Sequence, residues 1–105
     1  MRRLFAIVGH DGPRGLELRK LHREAHLQSL GDLVAADRVA HAGPLLGGDG
    51  QPVGSLLLFE AESLEEARAR AAADPYVREG IFERYSVFET RAVFGDRTDR
   101  AGDAR

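Results

Sequence analysis

At 105 residues, 43% of them apolar and 30% charged, the chain has the size of one small domain and a balance unlike that of disordered acidic segments or membrane spans. The 17 acidic against 15 basic residues leave a net charge of -2 with no single-sign block, which argues against a nucleic-acid partner. With no cysteine, disulfides, thiolate catalysis and thiolate metal sites are excluded.

Residues 4–8 (Leu-Phe-Ala-Ile-Val) are a continuous apolar run of strand length. After Arg2 and Arg3 this run is too short for a signal-peptide core or a span, so a cytoplasmic protein without membrane contact is expected. His10-Asp11-Gly12-Pro13 marks a turn. Residues 15–37 carry a helical pattern, with Leu27, Leu30, Leu33 and Val34 on one stripe and Arg19, Lys20, Arg23 and Asp32 available to solvent. A short strand is expected over 38–42. Five glycines and two prolines in 43–54 then predict a flexible connection, a candidate binding loop. Residues 55–60 form the next strand. Ser63, with Glu66 three positions on, reads as a capping box opening an Ala-rich helix over 64–73. Asp74-Pro75 closes that helix and can start a new turn, with Asp74 as cap and Pro75 in the first position. Residues 81–94 mix aromatics, valines and charges as a long edge strand does. The last eleven residues hold three Asp and three Arg and are expected to be a disordered tail, which leaves one domain over residues 1–94.

The order strand, helix, strand, strand, helix, strand predicts a ferredoxin-like α+β sandwich: a four-stranded antiparallel sheet with two helices on one face. Strands one and three belong at its centre because both are apolar on both parities, whereas strands two and four carry charge or alternate, as edges do. One sheet face is then uncovered. A domain of this length buries only about 60 to 70% of its unfolded surface. A homodimer through the open face is therefore expected, an assembly like a dimeric α/β barrel, with a cleft bordered by the two copies.

Four histidines are the main reactive inventory. His22 and His26, spaced i and i+4, share zinc-protease spacing, but the glutamate that chemistry needs is replaced by Arg23 and no third ligand is nominated, so no metal site is assigned. His26 falls between Leu30 and Leu33 on the apolar stripe, with His22 toward its rim. An imidazole there is either a hydrogen-bonded core residue or a working acid and base. His10 ends the first strand, where it can border a cleft; His41 sits on an edge strand. Asp74 is explained as an N-cap, a task for one oxygen, which leaves the other to orient a histidine. Ser55, opening the third strand, can offer a hydrogen bond to the same region, although no base other than His26 is placed to activate it. A single lysine, Lys20, on a helical surface disfavours Schiff-base chemistry. The run Gly47-Gly48-Asp49-Gly50 lacks the Lys-Ser/Thr pair of a nucleotide loop and precedes a strand. An RNA-binding sheet is disfavoured by the sparse aromatics of strand three and the negative charge.

Arg23-Glu24-Ala25-His26-Leu27, Ala42-Gly43-Pro44, Gly54-Ser55, Ser63-Leu64-Glu65-Glu66-Ala67 and Asp74-Pro75-Tyr76-Val77-Arg78-Glu79-Gly80, in this order, resemble the YciI-like (YCII-related domain) proteins over roughly residues 1–94. The resemblance implies a ferredoxin-like fold, a homodimer, and an active site built on a histidine and an aspartate, here His26 and Asp74. It further implies small-substrate chemistry, since the family includes a dehydrochlorinase acting on a chlorinated hydroxyhydroquinone. The expected function is acid-base catalysis of elimination, isomerisation or hydrolysis on a small cyclic or carbonyl substrate, with Ser55, His10 and His22 as substrate-binding candidates. The alternative is a non-catalytic ligand-binding or regulatory module of the same fold. No cofactor is assigned; dimers of this fold can host flavin or haem without a short motif, and the sequence leaves that open.

Overall fold

Phe5, Ile7, Leu57 and Phe59 are the reason two strands sit at the centre of the sheet: each is buried, and their alternation puts all four on one face. In a computed structural model, which describes residues 3–95, the chain runs β1 (Arg3–Asp11), α1 (Gly15–Ser29), α2 (Gly31–Ala35), β2 (Val39–Leu46), β3 (Pro52–Ala61), α3 (Leu64–Ala73), α4 (Pro75–Arg78) and β4 (Phe82–Thr90). The strand order is β2-β3-β1-β4, every neighbouring pair antiparallel. This is the ferredoxin-like α+β sandwich the alternation of elements predicts. Its core joins the four strand residues to Leu30, Leu33, Ala67 and Ala71, the two alanines letting α3 lie close to the sheet. On the other parity Leu4, Val8, Leu56 and Leu58 are only half-buried, and Phe88, 56% exposed, stands in the same face.

Three boundaries differ from the sequence expectation. The helix expected over 15–37 breaks at Leu30 into α1 and α2. Ser29 Oγ turns back to donate to the His26 carbonyl (2.6 Å), and Arg70 of α3 donates to the Ser29 carbonyl (3.0 Å) while gripping both Asp32 oxygens (3.0 and 2.7 Å). These bonds satisfy the helix-end carbonyls that a continuous helix would have used. Leu30 and Leu33 are buried by the break, whereas Leu27 and Val34 of the expected stripe are 47% and 62% exposed.

The glycine-rich stretch 43–54 is mostly strand, and only 47–51 is loop, closed by a bond from the Gly47 amide to the Gln51 carbonyl (2.8 Å). Pro44 and Pro52 are tolerated because they lie in an edge pairing. Gly54 is required for close approach, since a Cβ there would strike the Gly9 carbonyl of the neighbouring strand. Finally, β4 ends at Thr90 opposite Leu4, near the start of its partner strand, so the ladder stops short of Phe94. The expected tail lies outside the described residues except for Gly95.

Candidate active site

Asp74 ends α3 in an extended conformation (φ -68°, ψ 129°) and caps α4, its side chain accepting from the Tyr76 amide (2.9 Å), with Pro75 in the first helical position. Gly80 (φ 79°) then supplies the left-handed turn that ends α4, with the Ile81 amide returning to the Tyr76 carbonyl (3.1 Å). This short, doubly tied turn fixes where Asp74 and Tyr76 stand.

From α1, His26 places Nδ1 2.8 Å from Asp74 Oδ1. The sequence expectation gave the cap and the histidine different carboxylate oxygens; in the structure Oδ1 takes both bonds. An ionised carboxylate only accepts, so Nδ1 carries a proton, and in the neutral imidazole it is Nε2 that presents the lone pair. Nε2 has no hydrogen-bond partner among the described residues and is not sealed from solvent. The imidazole lies flat on Tyr76, ring centroids 3.9 Å apart and planes 4° from parallel, and Tyr76 meets Phe82 edge-on at 5.8 Å. Phe82 in turn covers Gly9, where any Cβ would fall 2.5 Å from the ring.

Arg19, one of the residues expected in solvent, is instead 12% exposed and forms a forked pair with Asp11 (2.7 and 2.9 Å). Its Nη2 also donates to the Gly54 carbonyl (2.7 Å) and to Ser55 Oγ (3.0 Å). Burial opposes the Arg19 charge, yet the hydrogen bonds and charge of Asp11 outweigh it and its pKa is raised. A pair so buried adds little net stability; what it fixes is geometry, tying the ends of β1 and β3 to α1. Gly15 leaves room for it, since a Cβ there would meet the Asp11 carboxylate. Tyr76 is also raised, by burial first, with Arg19 and Arg23 pulling the other way, so it stays a neutral phenol at ordinary pH.

These groups border a cavity of about 330 Å³ between α1 and the β2–β3 side of the sheet, with His26, Asp74, Tyr76, Ser55, Arg19 and Arg23 in its wall and Ile7, Leu30 and Leu57 as apolar lining. The wall belongs to one copy of the chain and lies on the helix-covered side. The expectation placed the site in a cleft bordered by the dimer through the open face; the cavity described lies on the other side of the sheet.

Of the residues singled out in the sequence, His26, Asp74 and Ser55 come together here. His22 and His10 do not line the cavity. At about 100° per residue His22 falls some 40° to one side of His26, whereas Arg19, Arg23 and Leu30 fall to the other, the cavity side. His10 has the parity of Leu4 and Val8 and belongs to the open face. Among the described residues no three His, Asp or Glu side chains gather as a metal site would require. Sequence reasoning missed Arg19 and Asp11, although Arg19 lies two turns before His26 and so on its face.

Fold and site together define a class: a ferredoxin-like sandwich that shelters a carboxylate-tethered histidine beside a cavity of small-ligand size. The chain belongs to the YCII-related domain family, whose model matches residues 3–91. It is 39% identical over 97 residues to protein YciI of Escherichia coli, covering 87% of this chain and 99% of that one. It is 34% identical over 96 residues to an uncharacterized protein of Haemophilus influenzae, covering 86% and 98%. In structure it is similar to the 5-chloro-2-hydroxyhydroquinone dehydrochlorinase of Burkholderia phenoliruptrix in complex with 2,5-dihydroxybenzoquinone (TM-score 0.75, 33% identity, 84% of this chain and 93% of that one). A NIPSNAP family protein of Agrobacterium tumefaciens, at 15% identity and TM-score 0.53 over 90% of this chain and 97% of that one, shares the fold alone. Among the described residues no helix is long and apolar enough to cross a membrane.

Proposed function

We propose that the chain is an acid-base enzyme acting on a small oxygenated ring or carbonyl compound, with elimination as the leading reaction and isomerisation or hydrolysis as its variants. The observation that carries this reading is the His26–Asp74 bond at 2.8 Å, with Nε2 left unpartnered beside the cavity. In the proposed step Nε2 accepts a proton from the substrate, the released electron pair forms a new double bond, and a leaving group departs with its own bonding electrons. Asp74 stabilises the imidazolium that results. Ser55 accepts from Arg19, which leaves its own O–H free to donate to a substrate oxygen. Similarity to a dehydrochlorinase supports elimination as the first reaction to try.

The direct test incubates the protein with 5-chloro-2-hydroxyhydroquinone and follows chloride release, alongside His26→Ala and Asp74→Asn. Release by the parent and a loss of at least about 100-fold in both folded variants is expected. A parent that binds the ring but neither releases chloride nor exchanges a ring proton for deuterium is a binding module, and the catalytic reading falls.

We assign a homodimer through the open face of Leu4, Val8, Leu56, Leu58 and Phe88, supported by apolar surface that one copy leaves half-covered. Sedimentation should give two copies for the parent and one for Phe88→Glu; a monomeric parent sinks the assignment. A cytoplasmic location is assigned too, supported by bacterial relatives and a chain without cysteine, and cell fractionation tests it.

A further inference from the structure

The charges around the cavity do not balance. Arg19 is matched by Asp11, and Asp74 is committed to His26 and the α4 cap. Lys20 and Arg23, which also line the cavity, form no ion pair within the described residues. Among the described residues Asp74 is the only carboxylate lining the cavity. Arg23 acts inward as well, since its charge works on the buried Tyr76 phenol. The only lysine of the chain and an arginine without an ion pair among the described residues therefore border a cavity whose lining also holds Ile7, Leu30 and Leu57.

We infer that the cavity selects a small anion of single-ring size, a carboxylate or an ionised phenol or enol, whose charge is met by Arg23 and Lys20 while its ring lies on the apolar lining. A neutral ring would gain the apolar contact and the Ser55 hydroxyl; an anion gains in addition two cations that no carboxylate among the described residues has claimed. The volume suits this, being near the lower limit of about 300 Å³ for ligand pockets. An anion held at Arg23 also suits the step at His26, because Arg23 lies on the cavity side of the same helix, one turn before it, and would orient the ring for Nε2. This inference rests on the cavity being the substrate site of the proposed enzyme.

The test is a comparison of benzoate with benzamide, which share shape and differ in charge, titrated at low ionic strength while the His26 ring resonance is followed by NMR. Benzoate should bind about ten-fold more tightly, and the preference should shrink at high salt and in Arg23→Gln with Lys20→Gln. Both substitutions are on exposed positions of α1, and circular dichroism is the check that the variants fold. Equal binding of the two probes, no perturbation of His26 by benzoate, or a preference unchanged in the double variant would each overturn the inference. His26→Ala, with shifts then followed on Tyr76, separates this from the catalytic proposal. Charge preference retained with turnover lost supports both; charge preference retained in a parent without turnover leaves anion selection standing while catalysis falls.

Discussion

The larger buried cluster, built on Phe5, Leu33, Leu57 and Phe59, meets a charge only at its edge, where Arg3 lies over the Phe5 ring (5.6 Å), whereas the smaller one, Tyr76, Ile81 and Phe82, has His26 and Arg19 on the Tyr76 ring and Asp74 on its amide. Both are buried, and only the first is what hydrophobic burial alone would build. Holding a carboxylate, an imidazole and a guanidinium out of water costs stability unless every bond is made, and here the buried polar side-chain atoms among the described residues all have partners. The contrast teaches where to look for function: in the cluster whose polar groups packing does not require.

The sharpest way to break this division is Phe59→Ala. Phe59 is 1% exposed, and its loss should cost about 3–5 kcal/mol in urea denaturation while turnover per folded molecule is unchanged. Turnover lost at full stability would mean that Phe59, which does not line the cavity, nevertheless shapes the site. Asp74→Asn is the converse. Asparagine caps a helix about as well as aspartate, so unfolding should shift by less than about 1 kcal/mol while turnover falls by about 100-fold or more. Equal losses of stability and turnover would show that Asp74 is a cap and nothing else.

A smaller effect is expected from Gly9→Ala, whose methyl would meet the Phe82 ring. Overpacking of about 1–3 kcal/mol in thermal unfolding is expected, partly restored by Phe82→Leu in the same chain. No rescue would place the strain elsewhere than in the ring stack.

The smallest concerns the surface pair that joins α2 to α3. Hydrogen bonds from Arg70 hold the Asp32 carboxyl below its usual range. A lowered folded pKa means that the unfolded chain binds the proton first. The contribution of Asp32 is therefore complete above the ordinary aspartate range and disappears as pH falls through its lowered folded value. With Asp32 68% exposed, the effect is small and screened by salt. Asp32→Asn should flatten the acid limb of the stability profile slightly at low salt; a parent profile already flat there removes the pair from the account.

Much of the architecture was legible along the chain. Strand order followed from which strands are apolar on both parities, and Ser63 accepts from the Glu66 amide as the capping pattern predicts (3.0 Å), although Glu66 reaches back to Glu62 (2.7 Å). The turn at Asp74-Pro75 was legible for the same reason: caps and proline act through bonds to residues a few positions away. What misled was sequence whose meaning depends on a distant partner. Residues 43–54 look like loop because glycine and proline are read without the neighbouring strand that accepts them. The break at Leu30 is invisible because Arg70, forty residues on, supplies the bond that stabilises it.

By itself, then, the sequence determined the order of the four strands and the two crossover segments, the sheet topology, the two caps and the candidacy of His26 and Asp74, because periodicity, parity and capping are local and strong. Only the tertiary structure decided that one carboxylate oxygen serves both cap and histidine, that Arg19 is buried with Asp11 rather than solvated, and that the cavity lies under α1 rather than on the open face. Those outcomes depend on side chains from four elements meeting in space, and the free energy of a buried charge is set by what surrounds it, not by its neighbours in the chain.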